Sequence, residues 1–215
     1  VFSLFSVTKA FTNILVYQAI ERGLMTLTTP LCKIIPEFSG GLRDRITIFH
    51  LLTHSTGLPT MFEARPGMYI DRMEEVIAAI CEVALPLEPA GERVSYAPLF
   101  NHALLGEAVR RLDRRGRSYR DIMREDLFEP TGMLDTSMGV RRDLKDRHLF
   151  PEFRGNYPIK HLGHSDLGPR SGRSINSISA KSCTGCCVGS DTNFPVCSAG
   201  DCVVCAVAIT DGSKA

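Results

Sequence analysis

Ser6-Val7-Thr8-Lys9 places a hydroxyl and an amine three residues apart at the head of an apolar-periodic stretch. Residues at that separation share one face of a helix, so the lysine amine can reach the serine hydroxyl. A free serine hydroxyl is a poor nucleophile and needs an adjacent base. Lysine fills that role only where burial or a neighbouring positive charge lowers its proton affinity. Backbone N–H groups at a helix N-terminus could receive the oxyanion that such an attack creates. The chemistry open to Ser6 and Lys9 is therefore acyl transfer. Spacing alone does not decide the matter: chance supplies about 0.4 Ser-x-x-Lys matches in a chain of this composition. An N-cap serine followed by a surface lysine is the plainer reading of the tetrapeptide by itself.

Other candidates are less well arranged. His54 and Ser55 are neighbours, but adjacent residues do not face each other on a helix. No Asp/His set is arranged for Ser55, although a dispersed triad leaves no local trace in sequence. His50 and His102 read as packed or half-exposed histidines rather than ligands.

The elements that must position these residues are mostly helical. Residues 7–22 carry Val7, Phe11, Ile14, Leu15 and Ile20 with Ala10 and Ala19, a spacing that predicts a helix with one buried face, stopped at Gly23. Pro30 and Pro36 make 24–38 loop and short helix. Further helices are expected over 46–54, stopped by Gly57 and Pro59, over 73–83, over 101–112, and over 119–128, ended by Pro130 and Gly132. Few strands are evident and no repeat is found. Beyond about residue 154 Ser, Gly and Cys dominate, and after Leu167 there is no further leucine. Apart from a possible strand over 203–210, that tail offers little apolar surface against the entropy of ordering it. The expected division is 1–155 for one folding unit and 156–215 for a tail that does not belong to it.

With 215 residues, 44% apolar, 23% charged and a net charge of +1, the chain fits a globular protein and gives no basis for a nucleic-acid or membrane partner. No apolar run reaches the length of a membrane span. Of the eight cysteines only Cys32 and Cys81 precede the tail, so the first part reads as a reduced, cytoplasmic protein. Val1 opens straight into apolar sequence, and the expectation is that the true N-terminus is missing.

Three segments carry a resemblance. Phe5-Ser6-Val7-Thr8-Lys9-Ala10-Phe11 closely resembles the nucleophile segment of family VIII carboxylesterases and class C β-lactamases. Ile48-Phe49-His50-Leu51-Leu52-Thr53-His54-Ser55-Thr56-Gly57-Leu58-Pro59 resembles the helix and turn that follow in those proteins. Leu127-Phe128-Glu129-Pro130-Thr131-Gly132-Met133-Leu134-Asp135-Thr136 resembles their Pro-Leu-Gly-Met … Thr segment. In this order the matches cover about residues 1–140 and point to the penicillin-binding-protein and serine β-lactamase superfamily. The resemblance implies an α/β (α+β) fold of the β-lactamase/transpeptidase type, here mainly its helical part with an incomplete antiparallel sheet. It also implies a serine hydrolase that acts through an acyl-serine on a small ester or amide, with no cofactor and no metal. Ser6 is then the nucleophile and Lys9 its base. Tyr96, in Gly91-Glu92-Arg93-Val94-Ser95-Tyr96-Ala97-Pro98, matches the tyrosine that shuttles the nucleophile's proton with the lysine. β-Lactamases have Asn two residues after that tyrosine. Pro98 stands there in this chain, which favours an esterase; Asn101 is near in sequence but on a different turn.

The superfamily's third element, a Lys-Thr-Gly-like or His-x-Gly-like strand segment, finds no convincing place. His161-Leu162-Gly163-His164 comes too soon, and the strands expected ahead of the nucleophile helix are absent as well. In the tail, Cys183 and Cys186 with Cys202 and Cys205 fit a four-thiolate zinc spacing. A metal knuckle, a disulfide cluster and a shifted reading frame near 155–175 all accommodate the tail; the frame shift is preferred and the metal site second. The alternative to a hydrolase is accordingly an inactive truncated pseudo-enzyme, or a metal-binding or interaction fragment. With one oxyanion donor in place of two, about 3–4 kcal/mol of transition-state stabilisation is lost. This chain is therefore expected to hydrolyse aryl esters far more slowly than full-length relatives, as steady-state kinetics on p-nitrophenyl esters will show.

Overall fold

The computed structural model describes residues 2–60, 64–65, 72–139, Arg147 and 206–208. Strand β1 (Phe2–Ser3) leads through a 3-10 turn, Phe5–Val7, into α1 (Thr8–Glu21). Helices α2 (Ile48–Leu52), α3 (Met73–Val83), α4 (Phe100–Leu112) and α5 (Tyr119–Met123) follow. A π-helical turn, Arg124–Phe128, continues α5, and β2 (Thr136–Met138) and β3 (Ala206–Ala208) complete the described elements. The three strands form one antiparallel sheet in the order β1-β3-β2, with Phe2 opposite Ala208 and Thr136 opposite Ala208 on the two sides of β3. β3 lies inside the strand expected over 203–210. The cysteine cluster and His161–His164 lie outside the described residues.

Helix α4 is the centre of the packing. Its residues 100–109 are all buried, with α1, α2, α3 and α5 against it. A helix enclosed on every side must dispose of its polar groups internally. Glu107 sits with 2% exposure and accepts hydrogen bonds from Arg110 Nε (2.8 Å) and Arg111 Nε (2.7 Å), while Arg111 also reaches Glu37 (2.7 Å). A buried carboxylate is tolerable only with such partners. Past the helix end, Arg117 grips Asp113 and Asp126, each at 2.7 Å, and ties α4 to the π turn. Arg43, also buried, donates to the carbonyls of Ala84 (2.9 Å) and Cys81 (2.7 Å), satisfying acceptors at the α3 C-terminus.

Three expectations are modified, the first being the absence of a strand ahead of the nucleophile helix, where β1 stands paired with β3. Helix α2 is shorter than 46–54, because the Ile46 carbonyl accepts from Leu31 N–H (2.8 Å) and Pro30 bridges Thr47, which draws residues 46 and 47 into extended backbone. On α1 the buried stripe is Thr8, Thr12, Leu15, Val16 and Ala19, whereas Val7, Ile14 and Tyr17 are exposed. The helix is apolar on two sides, and the described residues cover the one that faces α4 and Tyr119, whose hydroxyl meets Thr12 Oγ1 at 2.8 Å.

After α2 the chain turns sharply. His54 (φ 55°) and Gly57 (φ 72°) both take left-handed backbone, and a Cβ on Gly57 would lie 2.2 Å from the carbonyl oxygen of Glu88. A side chain there meets both dihedral strain and rigid backbone. Gly57→Ala is therefore expected to destabilise the fold by about 2 kcal/mol or more, read as a lowered urea midpoint with an unchanged m-value.

Candidate active site

Ser6 lies in the 3-10 turn ahead of α1 and Lys9 in the helix's first turn. Lys9 Nζ donates to Ser6 Oγ at 3.3 Å, the contact expected of residues three apart. Tyr96 comes from the loop between α3 and α4, ninety positions away, and its hydroxyl is 2.9 Å from Ser6 Oγ. Lys9 Nζ also stands over the Tyr96 ring, 5.2 Å from its centre. The three residues singled out from sequence thus meet at one oxygen. Ser6 and Tyr96 are solvent-exposed and Lys9 is half-buried, so the serine hydroxyl is accessible to an incoming carbonyl.

The Tyr96 loop is fastened to the turn after α2. Leu87 N–H donates to Gly57 O (2.9 Å), Gly91 N–H to Ser55 O (2.8 Å) and Ser95 N–H to His54 O (2.8 Å). Ser55 is buried and its hydroxyl bonds that of Thr53 at 2.8 Å, so the His54-Ser55 pair is not a nucleophile and its base. His50 binds the start of its own helix, its Nδ1 accepting from Thr47 N–H at 3.1 Å, and burial holds its pKa below the ordinary imidazole value.

Beneath Tyr96 lies a polar layer that sequence reasoning assigned no chemical role. Asn101 is fully buried; its Oδ1 accepts from Thr56 Oγ1 (3.2 Å) and its Nδ2 donates to His54 Nδ1 (2.9 Å). It is thus committed to the turn below the tyrosine and not to the cleft, and with Pro98 in place the loop offers no side-chain amide two residues past Tyr96. His102 Nε2 meets Asn13 Oδ1 at 3.0 Å, and its Nδ1 is buried with no hydrogen-bond partner among the described residues. The His54 ring lies 4.8 Å from that of Tyr96 and 5.3 Å from that of His102. Burial first, and the nearby Lys9 charge second, lower the pKa of both histidines, that of His102 to about 3. Two neutral imidazoles therefore lie under the serine, lysine and tyrosine at neutral pH. The only advance sign of this layer was the presence of polar residues at α4 positions whose helical neighbours are apolar.

Among the described residues no group of His, Cys, Asp and Glu could hold a metal ion, and no helix is long and apolar enough to cross a membrane. The depressed His102 pKa has a consequence for stability. The unfolded chain takes up a proton on this residue near pH 6.5 while the folded chain resists until about pH 3, so its contribution is intact above 6.5 and erodes as pH falls toward 3. The slope is at most about 1.4 kcal/mol per pH unit. His102→Gln, which keeps a donor for Asn13 without the titration, should flatten urea stability between pH 6.5 and 4.5.

Residues 1–150 match the beta-lactamase family. The chain is 30% identical over 172 residues to penicillin-binding protein 4 of Amycolatopsis lactamdurans, a match covering 79% of this chain and 42% of that protein. It superposes on a penicillin-binding protein homologue from Caulobacter crescentus with a TM-score of 0.60 and 26% identity, over 77% of this chain and 46% of that one. A class C beta-lactamase, at 22% identity and a TM-score of 0.58 over 68% of this chain and 39% of its own, shares the fold. The chain thus spans less than half the length of these relatives. The fold is of the β-lactamase/transpeptidase type, and with a match that runs through Ser6, Lys9 and Tyr96 the chain belongs to the beta-lactamase family.

Proposed function

We propose that this protein is a serine hydrolase of carboxylesterase type, acting on small esters or amides through an acyl-serine. The observation that carries the reading is the convergence on Ser6 Oγ of Tyr96 Oη at 2.9 Å and Lys9 Nζ at 3.3 Å, from segments ninety residues apart. A serine flanked by two groups able to exchange its proton is the arrangement nucleophilic catalysis requires. Ser6 Oγ attacks the substrate carbonyl as its proton passes to the Lys9–Tyr96 pair. The same pair returns a proton to the leaving alcohol or amine. Water, losing a proton to the pair, then attacks the acyl-Ser6 ester and frees the acid and the serine. Pro98, in a position where an amide would hold a lactam side chain, supports an ester over a β-lactam as the substrate turned over.

A fluorophosphonate probe and a penicillin test the reading, the second chosen because a relative is named as a penicillin-binding protein. Mass spectrometry is expected to place one adduct on Ser6. Ser6→Ala should abolish it, and Lys9→Ala or Tyr96→Phe should slow its formation by about 10²–10⁴-fold, the usual worth of a positioned proton carrier. Equal labelling of the wild-type and Ser6→Ala proteins would overturn the assignment.

A further inference from the structure

We propose that His54 is the residue that positions Tyr96 for proton exchange with Ser6, gripping the tyrosine's loop on both sides with an imidazole whose Nδ1 is an acceptor; the inference rests on the catalytic reading of Ser6, Lys9 and Tyr96. The backbone carbonyl of His54 accepts from Ser95 N–H at 2.8 Å, and its ring Nδ1 accepts from Ala97 N–H at 3.4 Å. The residues immediately before and after Tyr96 are thus both bonded to one histidine, and the tyrosine between them has its ring 4.8 Å from the imidazole. Few conformations allow one residue to present carbonyl and ring to the same loop. His54 does so in left-handed backbone at φ 55°, where it is the one non-glycine among the described residues, and histidine with Asn and Asp tolerates that region better than most residues.

The direction of the hydrogen bonds at Nδ1 is set by a backbone donor, because Ala97 N–H can only donate. Leu58 N–H donates to Thr56 Oγ1 (3.2 Å), and the Thr56 hydroxyl donates to Asn101 Oδ1 (3.2 Å). With Nδ1 an acceptor, Asn101 turns its NH₂ to it (2.9 Å). A backbone N–H and an amide N–H both point at Nδ1, so that nitrogen carries the lone pair and Nε2 the proton. Protonating Nδ1 would set three donors against one another and loosen the loop. The titratable groups facing the ring oppose that protonation or are neutral: the nearby Lys9 of α1 lowers the His54 pKa, His102 from α4 is neutral, and Tyr96 lies on the loop itself. His54 does not touch Ser6 Oγ in the described contacts, and its part is to set where Tyr96 Oη lies.

The test uses the whole chain and the rate of Ser6 modification by a fluorophosphonate. His54→Gly accommodates the left-handed backbone and retains the carbonyl bond to Ser95, but removes the ring acceptor. It is expected to slow labelling by about 10²-fold, the penalty of misplacing a reacting group by an ångström. His54→Asn also suits left-handed backbone and presents Oδ1 near the place of Nδ1, so it should restore most of the rate and abolish the histidine-dependent acid limb of the pH profile. On the wild-type protein, ¹⁵N NMR of the imidazoles reads the tautomer independently of any variant's folding. His54 protonated on Nε2 supports the inference, and His54 protonated on Nδ1 overturns it. His54→Gly labelling at the wild-type rate with an unchanged acid limb overturns it too. Labelling that does not depend on Ser6 defeats the catalytic reading instead, and the NMR result still decides how the ring is bonded.

Discussion

The site depends on the burial of residues 100–109 of α4. Ser6 and Tyr96 belong to segments with no local reason to meet, and no contact between the two alone could bring them together. They meet because α1 packs along one side of α4 and the Tyr96 loop runs directly into its N-terminus, while α2, which holds that loop through the turn after it, packs on α4 as well. Burying ten successive residues supplies the favourable free energy, at roughly 25 cal/mol per Å² of apolar surface withdrawn from water. The 2.9 Å hydrogen bond between Tyr96 and Ser6 reports that packing and does not create it. A net contribution of about 1 kcal/mol could not order a loop of this length.

Burial has opposite electrostatic results at the two ends of α4. At the C-terminal end Arg110 and Arg111 pair with the buried Glu107, and Arg117 draws Asp113 and Asp126 into the same layer. Hydrogen bonds from Arg117 hold both aspartates below the usual carboxylate pKa. At the N-terminal end the buried groups are amides and imidazoles, which bond one another without charge, although His102 Nδ1 has no partner among the described residues. The difference suits the chemistry. A cationic histidine under Lys9 would put a positive charge close to the serine and would break the donor–acceptor order that fastens Tyr96. The buried histidines stay neutral for the same physical reason that the glutamate needs two arginines: an uncompensated charge is costly in this interior.

How much of this could be read from sequence follows from the range over which each interaction acts. Ser6 and Lys9 were legible because their geometry is fixed within one helical turn, and α3 was legible to the residue because its apolar period is undisturbed. Tyr96 needed resemblance, since nothing local tells a loop tyrosine to meet a serine ninety positions back. The polar layer of His54, Asn101 and His102 was not legible as a site. Each of these residues is ordinary at its own position, and their roles arise only when the turn after α2 meets the start of α4. The buried face of α1 was misplaced for a related reason. Val7 and Ile14 are as apolar as Leu15 and Val16, and periodicity reports an apolar side without saying what covers it.

Proton exchange and substrate binding are separable in this architecture. The groups proposed to move the serine proton come from α1 and the Tyr96 loop, and they are fixed by α4 and the turn after α2, all within the first hundred and twelve residues. The surface on which a substrate would rest is bounded differently: Ser6 and Tyr96 lie open to solvent, and the α1 flank formed by Val7, Ile14 and Tyr17 is uncovered by the described residues. Preorganised donors act strongly where water is excluded and weakly where it is not. In the proposed mechanism the helical scaffold therefore sets which atom attacks and where its proton goes, and the enclosure of the same serine sets how fast. That division accommodates a cluster of Ser6, Lys9 and Tyr96 in a chain whose match spans less than half the length of its relatives.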